Sequence, residues 1–214
     1  MDSVSGVGVL NKSIEILDAL RSGPLMLADV ITVTGMPRAT AYRLVSALET
    51  HGLVRRDADG RVLLGLGLVG LGAAAAAHMP LVELAGPALE ILRKKTGESV
   101  QLFVQQGSRR LCLAALDAPH ELRTIVPVGA LLPLDRGSAG HVLIGEIGKH
   151  GWVESVGERE PGVASVSAPV QARSGEIVAA VSVSGPIERM TRRPGVAHGA
   201  AVTHAAATIA GHLS

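Results

Sequence analysis

The sequence predicts an α+β protein in two parts, an N-terminal winged helix-turn-helix followed by a C-terminal α/β domain. Within the first 66 residues three short helical periodicities run into a hairpin signal, and from residue 98 strand-like stretches are flanked by helical ones. Composition adds a third observation: hydrophobic residues make up 47% of the 214 and aromatics only 1%, so the cores must be built from Leu, Val, Ile and Ala. That length suits one large domain or two modest ones.

From Val9 to Arg21 the apolar residues Leu10, Ile14, Leu17 and Leu20 fall roughly on one helical face, and Ser22-Gly23-Pro24 stops the run. Leu27 to Thr34 reads as a short second helix closed by Gly35. Met36-Pro37-Arg38 restarts the chain, with Pro37 suited to a first turn, and a third helix reaches Thr50 with Leu44, Val45 and Leu48 inward. Leu53 to Arg56 and Arg61 to Leu64 form two short strands around Asp59-Gly60. This is the winged-helix order, assigned to residues 1–66. Residues 67–97 read as linker helices, a Gly/Ala-rich stretch to Ala77 and a helical pattern from Leu81 to Lys95. Residues 98–214 form the second domain. Its strands are predicted at Ser99 to Gln106, Arg109 to Leu116, Thr124 to Val128, Val163 to Val170 and Ile177 to Ser184, with a short helix from Ser138 and a last helix from Ala197 to Leu213.

Several function classes are disfavoured. A single cysteine, Cys112, excludes an internal disulfide framework and a CxxC metal site and favours a reducing, cytoplasmic compartment. Met1 to Leu10 lacks a signal-like n-region, and no stretch gives ~18 uninterrupted apolar residues, so neither secretion nor a membrane span is expected. The longest apolar window, Val62 to Met79, is interrupted by four glycines and His78. Gly65 to Gly70 matches GxGxxG, but a helical pattern follows where a dinucleotide site needs a second parallel strand. Asp135, Ser138 and His141 supply triad residue types without a nucleophile elbow. The eight histidines show no ligand spacing, so no metal and no cofactor are expected. Arg189, Arg192 and Arg193 read as a solvated basic loop.

The strongest constellation is Leu27 to Leu64. A helix-turn-helix lays the N-terminal half of its second helix in the major groove, which puts Pro37, Arg38, Ala39, Thr40, Ala41, Tyr42 and Arg43 in reach of bases and phosphates. Arg55, Arg56 and Arg61 on the wing suit the DNA backbone or the adjacent minor groove. Over Met36 to Leu64, five arginines face Glu49, Asp57 and Asp59, a local net of +2 beside a whole-chain charge of +1. Double-stranded DNA is the expected partner. A winged helix that binds protein, as in a co-regulator, is the alternative within this class, and a nucleotide-dependent or Ser-based enzyme is the alternative outside it.

These residues carry a resemblance. The segments SGVGVLNKSIEILDAL, MPRATAYRLVSALETHGLVRRDADGRVLLG, GWVESVGEREPGVASVSAPV and AAVSVSGPIERM, in that order, resemble the IclR family of bacterial transcription regulators over nearly the whole chain. The resemblance implies a non-enzymatic, DNA-binding homodimer or dimer of dimers with a GAF-like effector domain, and is nearest to an actinobacterial-type branch linked to amino-acid metabolism, including leucine biosynthesis. It also implies an effector pocket formed by Gly137, Ser138, Ala139, Ser155, Val163, Ser165, Ser182 and Ser184. Small residues there would leave a cavity, and N–H groups at a helix start would suit a small carboxylate or amino-acid-like ligand. Read without the resemblance, the same serines are the solvent-facing side of strands. Similar proteins carry a longer segment before Gly151-Trp152, where this sequence has little beyond Glu146 to His150. That implies either a deletion opening the pocket's side or a mobile stretch absent from this sequence.

Overall fold

The computed structural model describes residues 7–78 and 80–213. Residues 1–6, counted above with the first domain, Met79 at the end of the apolar window, and Ser214 lie outside the described residues. The chain divides into two compact units between residues 79 and 80.

In the first unit, α1 (Gly8–Ala19) tightens into a 3-10 turn at Leu20–Ser22, followed by α2 (Leu27–Thr34), α3 (Arg38–Thr50), β1 (Val54–Arg56), β2 (Val62–Leu64) and α4 (Gly67–Ala77). Gly35 ends α2 in the left-handed conformation, φ 66°, and its N–H returns to the Ile31 carbonyl at 2.9 Å. On α3 the buried residues Ala41, Leu44, Val45 and Leu48 follow an i, i+3, i+4, i+7 stripe and meet Ile16, Leu20, Val30, Val54 and Val62. β1 and β2 pair antiparallel, Val54 opposite Leu64. Leu25, just before α2, adds a one-residue bridge to Val62 with N···O distances of 2.9 and 2.7 Å, which ties the helical part to the wing. Gly65 and Gly67, part of the GxGxxG match, lie against the end of α3: Gly67 N donates to the Gly52 carbonyl at 3.0 Å, and a Cβ on Gly65 would collide with that carbonyl. They are packing glycines, and two successive helices follow them where a dinucleotide site needs one helix and then a parallel strand.

The second unit opens with α5 (Leu81–Thr96) and holds one antiparallel six-stranded sheet of order β5-β4-β3-β8-β7-β6. Its strands are β3 (Ser99–Gln106), β4 (Arg109–Leu116), β5 (Leu131–Pro133), β6 (Val153–Val156), β7 (Val163–Gln171) and β8 (Ile177–Pro186), with α6 (Ser138–Leu143), α7 (Ile187–Met190) and α8 (Pro194–His212). The strand expected at Thr124 to Val128 is not formed. Pro127 has no N–H for a ladder, and the chain turns there (Ala130 N to Pro127 O, 3.0 Å) before joining β4 as β5. β6 and α7 are four residues each, too short to show a period, and neither adjoins an Asp-Gly turn like the Asp59-Gly60 that marks β1 and β2.

Strand alternation decides what each sheet face carries. Val100, Leu102, Ala164, Val166, Ala168, Val181 and Val183 pack on one side against Leu89 and Leu92 of α5 and Val202 and Ile209 of α8. Their neighbours in sequence, Gln101, Phe103, Ser165, Ser167, Ala180, Ser182 and Ser184, take the opposite side, where α6 adds Ala139, Val142 and Leu143. Burying each Leu or Val on the first side is worth ~1.5–3 kcal/mol, so that side anchors the sheet. The second side is mixed, with buried serines and Gln101 beside a smaller apolar cluster around Phe103, Ala180 and α6.

Candidate functional site

On α3, Arg38, Ala39, Tyr42 and Arg43 are exposed, and Thr40 is half-buried. The Pro37 carbonyl starts the helix by accepting from Thr40 N at 2.9 Å and Ala41 N at 3.0 Å. Ala41 must be corrected: it is 0% exposed, on the same stripe as Leu44, Val45 and Leu48, and packs the helix to the core instead of facing outward.

The wing's three arginines differ. Arg61 is held by Asp57 (2.9 Å) and Asp59 (2.6 Å), and Arg56 donates to Glu49 and to the Gly60 carbonyl, both at 3.4 Å. Arg55 is exposed. Among the described residues Arg38, Arg43 and Arg55 make no ion pair, so three of the five arginines present unneutralised guanidiniums. Asp57 also accepts the backbone N–H of Asp59 at 3.1 Å and of Arg61 at 2.9 Å. Burial would raise its pKa, but the hydrogen bonds from Arg61 outweigh that and hold the carboxyl below its ordinary value. The turn is thus clamped by its own charges.

In the second unit all eight residues expected at the effector pocket, Gly137, Ser138, Ala139, Ser155, Val163, Ser165, Ser182 and Ser184, line one narrow cleft between the sheet and α6, with about 20 Å³ of free space inside it. The register sets this up. Ser155, Ser165 and Ser184 stand in one cross-strand row over β6, β7 and β8, and Ser167 stands opposite Ser182. Three of these serines do not face solvent: Ser167, Ser182 and Ser184 are buried under α6, while Ser155 and Ser165 are half-buried. Ser138 Oγ lies 2.7 Å from both Ser165 Oγ and Ser167 Oγ, and Ser184 donates to Gln101 Oε1 at 3.0 Å.

Sequence reasoning missed the cations of this cleft. Arg110 and Arg159 both line it, together with Gln101, Phe103, Val126 and Leu132. Arg110 is 2% exposed, sits over the Phe103 ring at 5.4 Å from the centroid, and donates from Nη1 to the Arg136 carbonyl, while its buried Nε has no partner. Burial and the charge of Arg159 lower its pKa to about 10, so it stays charged at neutral pH. One signal was available: Arg110 is two residues from Cys112 on a strand and therefore shares its inward face. The arrangement can offer a small anion two guanidiniums and several hydroxyls.

Glu158 already holds the N–H expected for a ligand at the start of α6. Its Oε2 accepts from Gly137 N and Ser155 Oγ, both at 2.7 Å, and its Oε1 lies 2.8 Å from His141 Nε2. His141 Nδ1 meets Glu146 at 2.6 Å. Hydrogen bonding to Glu158, then to Glu146, raises the His141 pKa; in Glu158 the opposing effect of burial is outweighed and the pKa falls. Ser138 and His141 therefore have separate partners and form no triad. Cys112 is buried, with its thiol pushed up by burial to about 11. Among the described residues no cluster could hold a metal ion, and no helix is long and apolar enough to cross a membrane. Arg189 is not in a solvated loop: it pairs with buried Glu98 at 2.5 and 2.8 Å and donates to the Leu122 carbonyl at 2.9 Å.

The two units match bacterial transcription regulators in sequence. Residues 9–58 match the IclR helix-turn-helix domain, and residues 73–147 and 144–211 match the bacterial transcriptional regulator IclR C-terminal domain. The chain belongs to the IclR family of transcriptional regulators, and is not an enzyme. Similar proteins include the HTH-type transcriptional regulator KipR of Bacillus subtilis, 29% identical over 134 residues, which are 62% of this chain and 54% of KipR, so the chain spans about half of that relative. The HTH-type transcriptional repressor AllR of Escherichia coli is 24% identical over 242 positions covering 95% of this chain and 89% of AllR. Those 242 positions exceed the 214 residues of this chain, so AllR carries residues absent here, and the C-terminal match is split where the short segment Glu146 to His150 lies. Among solved structures, an IclR homolog complexed with 4-hydroxybenzoate from Microbacterium hydrocarbonoxydans superposes with a TM-score of 0.79 at 21% identity, over 96% of this chain and 99% of that one. The Thermotoga maritima IclR gives 0.71 at 22%, over 95% and 98%.

Proposed function

We propose that this regulator is cytoplasmic, binds a pseudo-palindromic operator as a homodimer or dimer of dimers, and changes its operator affinity when a small carboxylate or amino-acid-like metabolite enters the serine-lined cleft. In this reading residues 1–66 bind DNA through Pro37, Arg38, Thr40, Tyr42, Arg43, Arg55, Arg56 and Arg61, residues 67–97 link, and residues 98–214 hold the effector. The observation that carries it is the face of α3: one stripe fixed in the core, and on the other side Arg38, Tyr42 and Arg43 exposed, the two arginines without acid partners among the described residues. Arg can pair bidentately with guanine, while Tyr and Thr suit phosphates.

Arg110 and Arg159 support an anionic effector, and so does the solved IclR homolog complexed with 4-hydroxybenzoate, a carboxylate-bearing molecule. The target genes proposed are those of amino-acid metabolism, leucine biosynthesis included, on the branch resemblance alone. A second copy is supported by α4 and the residue before it: Leu66, Val69 and Leu71 are exposed, with no charged residue from Gly65 to Ala77, and α1 adds exposed Leu10 and Ile14. A ligand alters affinity only as far as it prefers one arrangement of the dimer, typically by ~1–3 kcal/mol.

Selection of bound duplexes from a random pool, repeated with a panel of carboxylates and amino acids, tests the proposal. A pseudo-palindromic consensus should emerge, and at least one acid should change its affinity. No enrichment above random duplex, or salt-insensitive binding of a protein partner in its place, would refute it.

A further inference from the structure

Glu158 stands between two spaces. On one side is the cleft lined by Gly137, Ser155 and Arg159; on the other is an open groove of about 490 Å³ lined by His141, Glu146, Glu154 and Glu158, and Ser155 borders both. One carboxylate joins α6 to edge strand β6 across that boundary. Its Oε2 takes Gly137 N at the start of α6 and Ser155 Oγ on edge strand β6, while its Oε1 is held by His141. Both oxygens of a carboxylate cannot be so engaged unless the loop after β6 is drawn against α6. No apolar side chain of that loop secures it, since Gly157 to Gly162 is polar or charged apart from Pro161. Backbone bonds from Gly157 N to the Val163 carbonyl (2.8 Å) and from Ile187 N to the Gly162 carbonyl (2.9 Å) fix the two ends of the loop, so a rotation of the Glu158 side chain breaks only its bridge to Gly137 and Ser155, and His141 gives the displaced carboxylate a place to remain.

We propose that Glu158 is the gate of the cleft: while it bridges Gly137 and Ser155 the cleft is shut off from the outer groove, and when it swings away on His141 the two spaces become one passage for the effector. This rests on reading the cleft as the effector site. Glu146, in the short segment where the match to the IclR C-terminal domain is split, lines the outer groove and so places the passage beside that segment. An anionic effector settling by Arg110 and Arg159 also repels this carboxylate, so occupancy and gate position are coupled through charge.

Access can be read without effector or DNA. In the full chain with Ser165→Cys, the rate of modification by methyl methanethiosulfonate measures opening, and native Cys112, buried with a raised pKa, serves as the unreactive internal reference. Glu158→Ala should speed labelling about tenfold, the factor equivalent to about 1.4 kcal/mol of lost closure. Ser155→Ala, which removes one bond only, should fall between, and remains informative if the first variant folds poorly. Equal rates in the three backgrounds would overturn the gate, as would the same acceleration from Glu176→Ala on a distant exposed turn. Effector titration judges the cleft reading separately, so either idea can fail alone.

Discussion

His141 faces a carboxylate at each ring nitrogen, and only its protonated form can donate to both. Because its pKa is raised above the ordinary 6.5, its contribution to stability is full below 6.5 and is lost as pH rises through the folded-state value. Glu158 is lowered from 4.5, so its contribution is full above 4.5 and is lost as pH falls through its folded-state value. The pair stabilises most between pH 4.5 and 6.5. Thermal unfolding of wild type and His141→Ala should differ most inside that window and converge toward pH 9; a difference that grows with pH would exclude the arrangement. Residue identity alone could not reveal this pair, because Glu158 is 17 positions from His141 and only the return of β6 brings them together. The serines were legible by contrast. Val and Ser alternate along β7 and β8, and an alternating strand has two distinct faces whatever it packs against. What alternation could not decide was whether the polar face met water or α6.

At the level of elements, the helices of the first unit were readable because their punctuation is local: Gly35 after α2, Pro37 before α3 and Gly60 in the wing each impose a backbone conformation within a residue or two. The Thr124 to Val128 segment was misread because its apolar residues look like a strand while Pro127 and Gly129 redirect the chain. Ala41 was misassigned for a simpler reason, since the stripe it belongs to extends one turn earlier than Leu44. The role of Trp152 was also hidden. Its ring lies against α8 where Gly195 and Gly199 have no side chains, so β6 is locked to a helix more than forty residues on. This reverses the usual effect of removing glycine from a helix. Alanine at position 199 would gain ~1 kcal/mol of helix propensity and lose ~1–3 kcal/mol or more to overpacking against the indole. Gly199→Ala should therefore lower the midpoint of denaturant unfolding, whereas Gly211→Ala, on the same helix with open space around it, should raise it or leave it unchanged. Stabilisation by Gly199→Ala would show that the Trp152 contact is not what holds β6.

For the molecule as a whole, a net charge of +1 gives no global attraction to DNA, so binding must come from a few placed cations and from doubling them in a dimer. The exposed apolar helix α4 is the proposed means of doubling. Val69→Lys, which puts a charge on that helix without touching a buried residue, should convert a dimer to monomer in sedimentation and weaken operator binding together. A mass unaffected by Val69→Lys would remove α4 from the interface. The most direct test of the account is the affinity of the Arg38→Ala/Arg43→Ala double variant for the selected operator, at fixed salt and with its unfolding transition unchanged. With each arginine worth ~1–3 kcal/mol, the account predicts a loss of roughly thirtyfold or more; an affinity equal to that of the parent protein would contradict it.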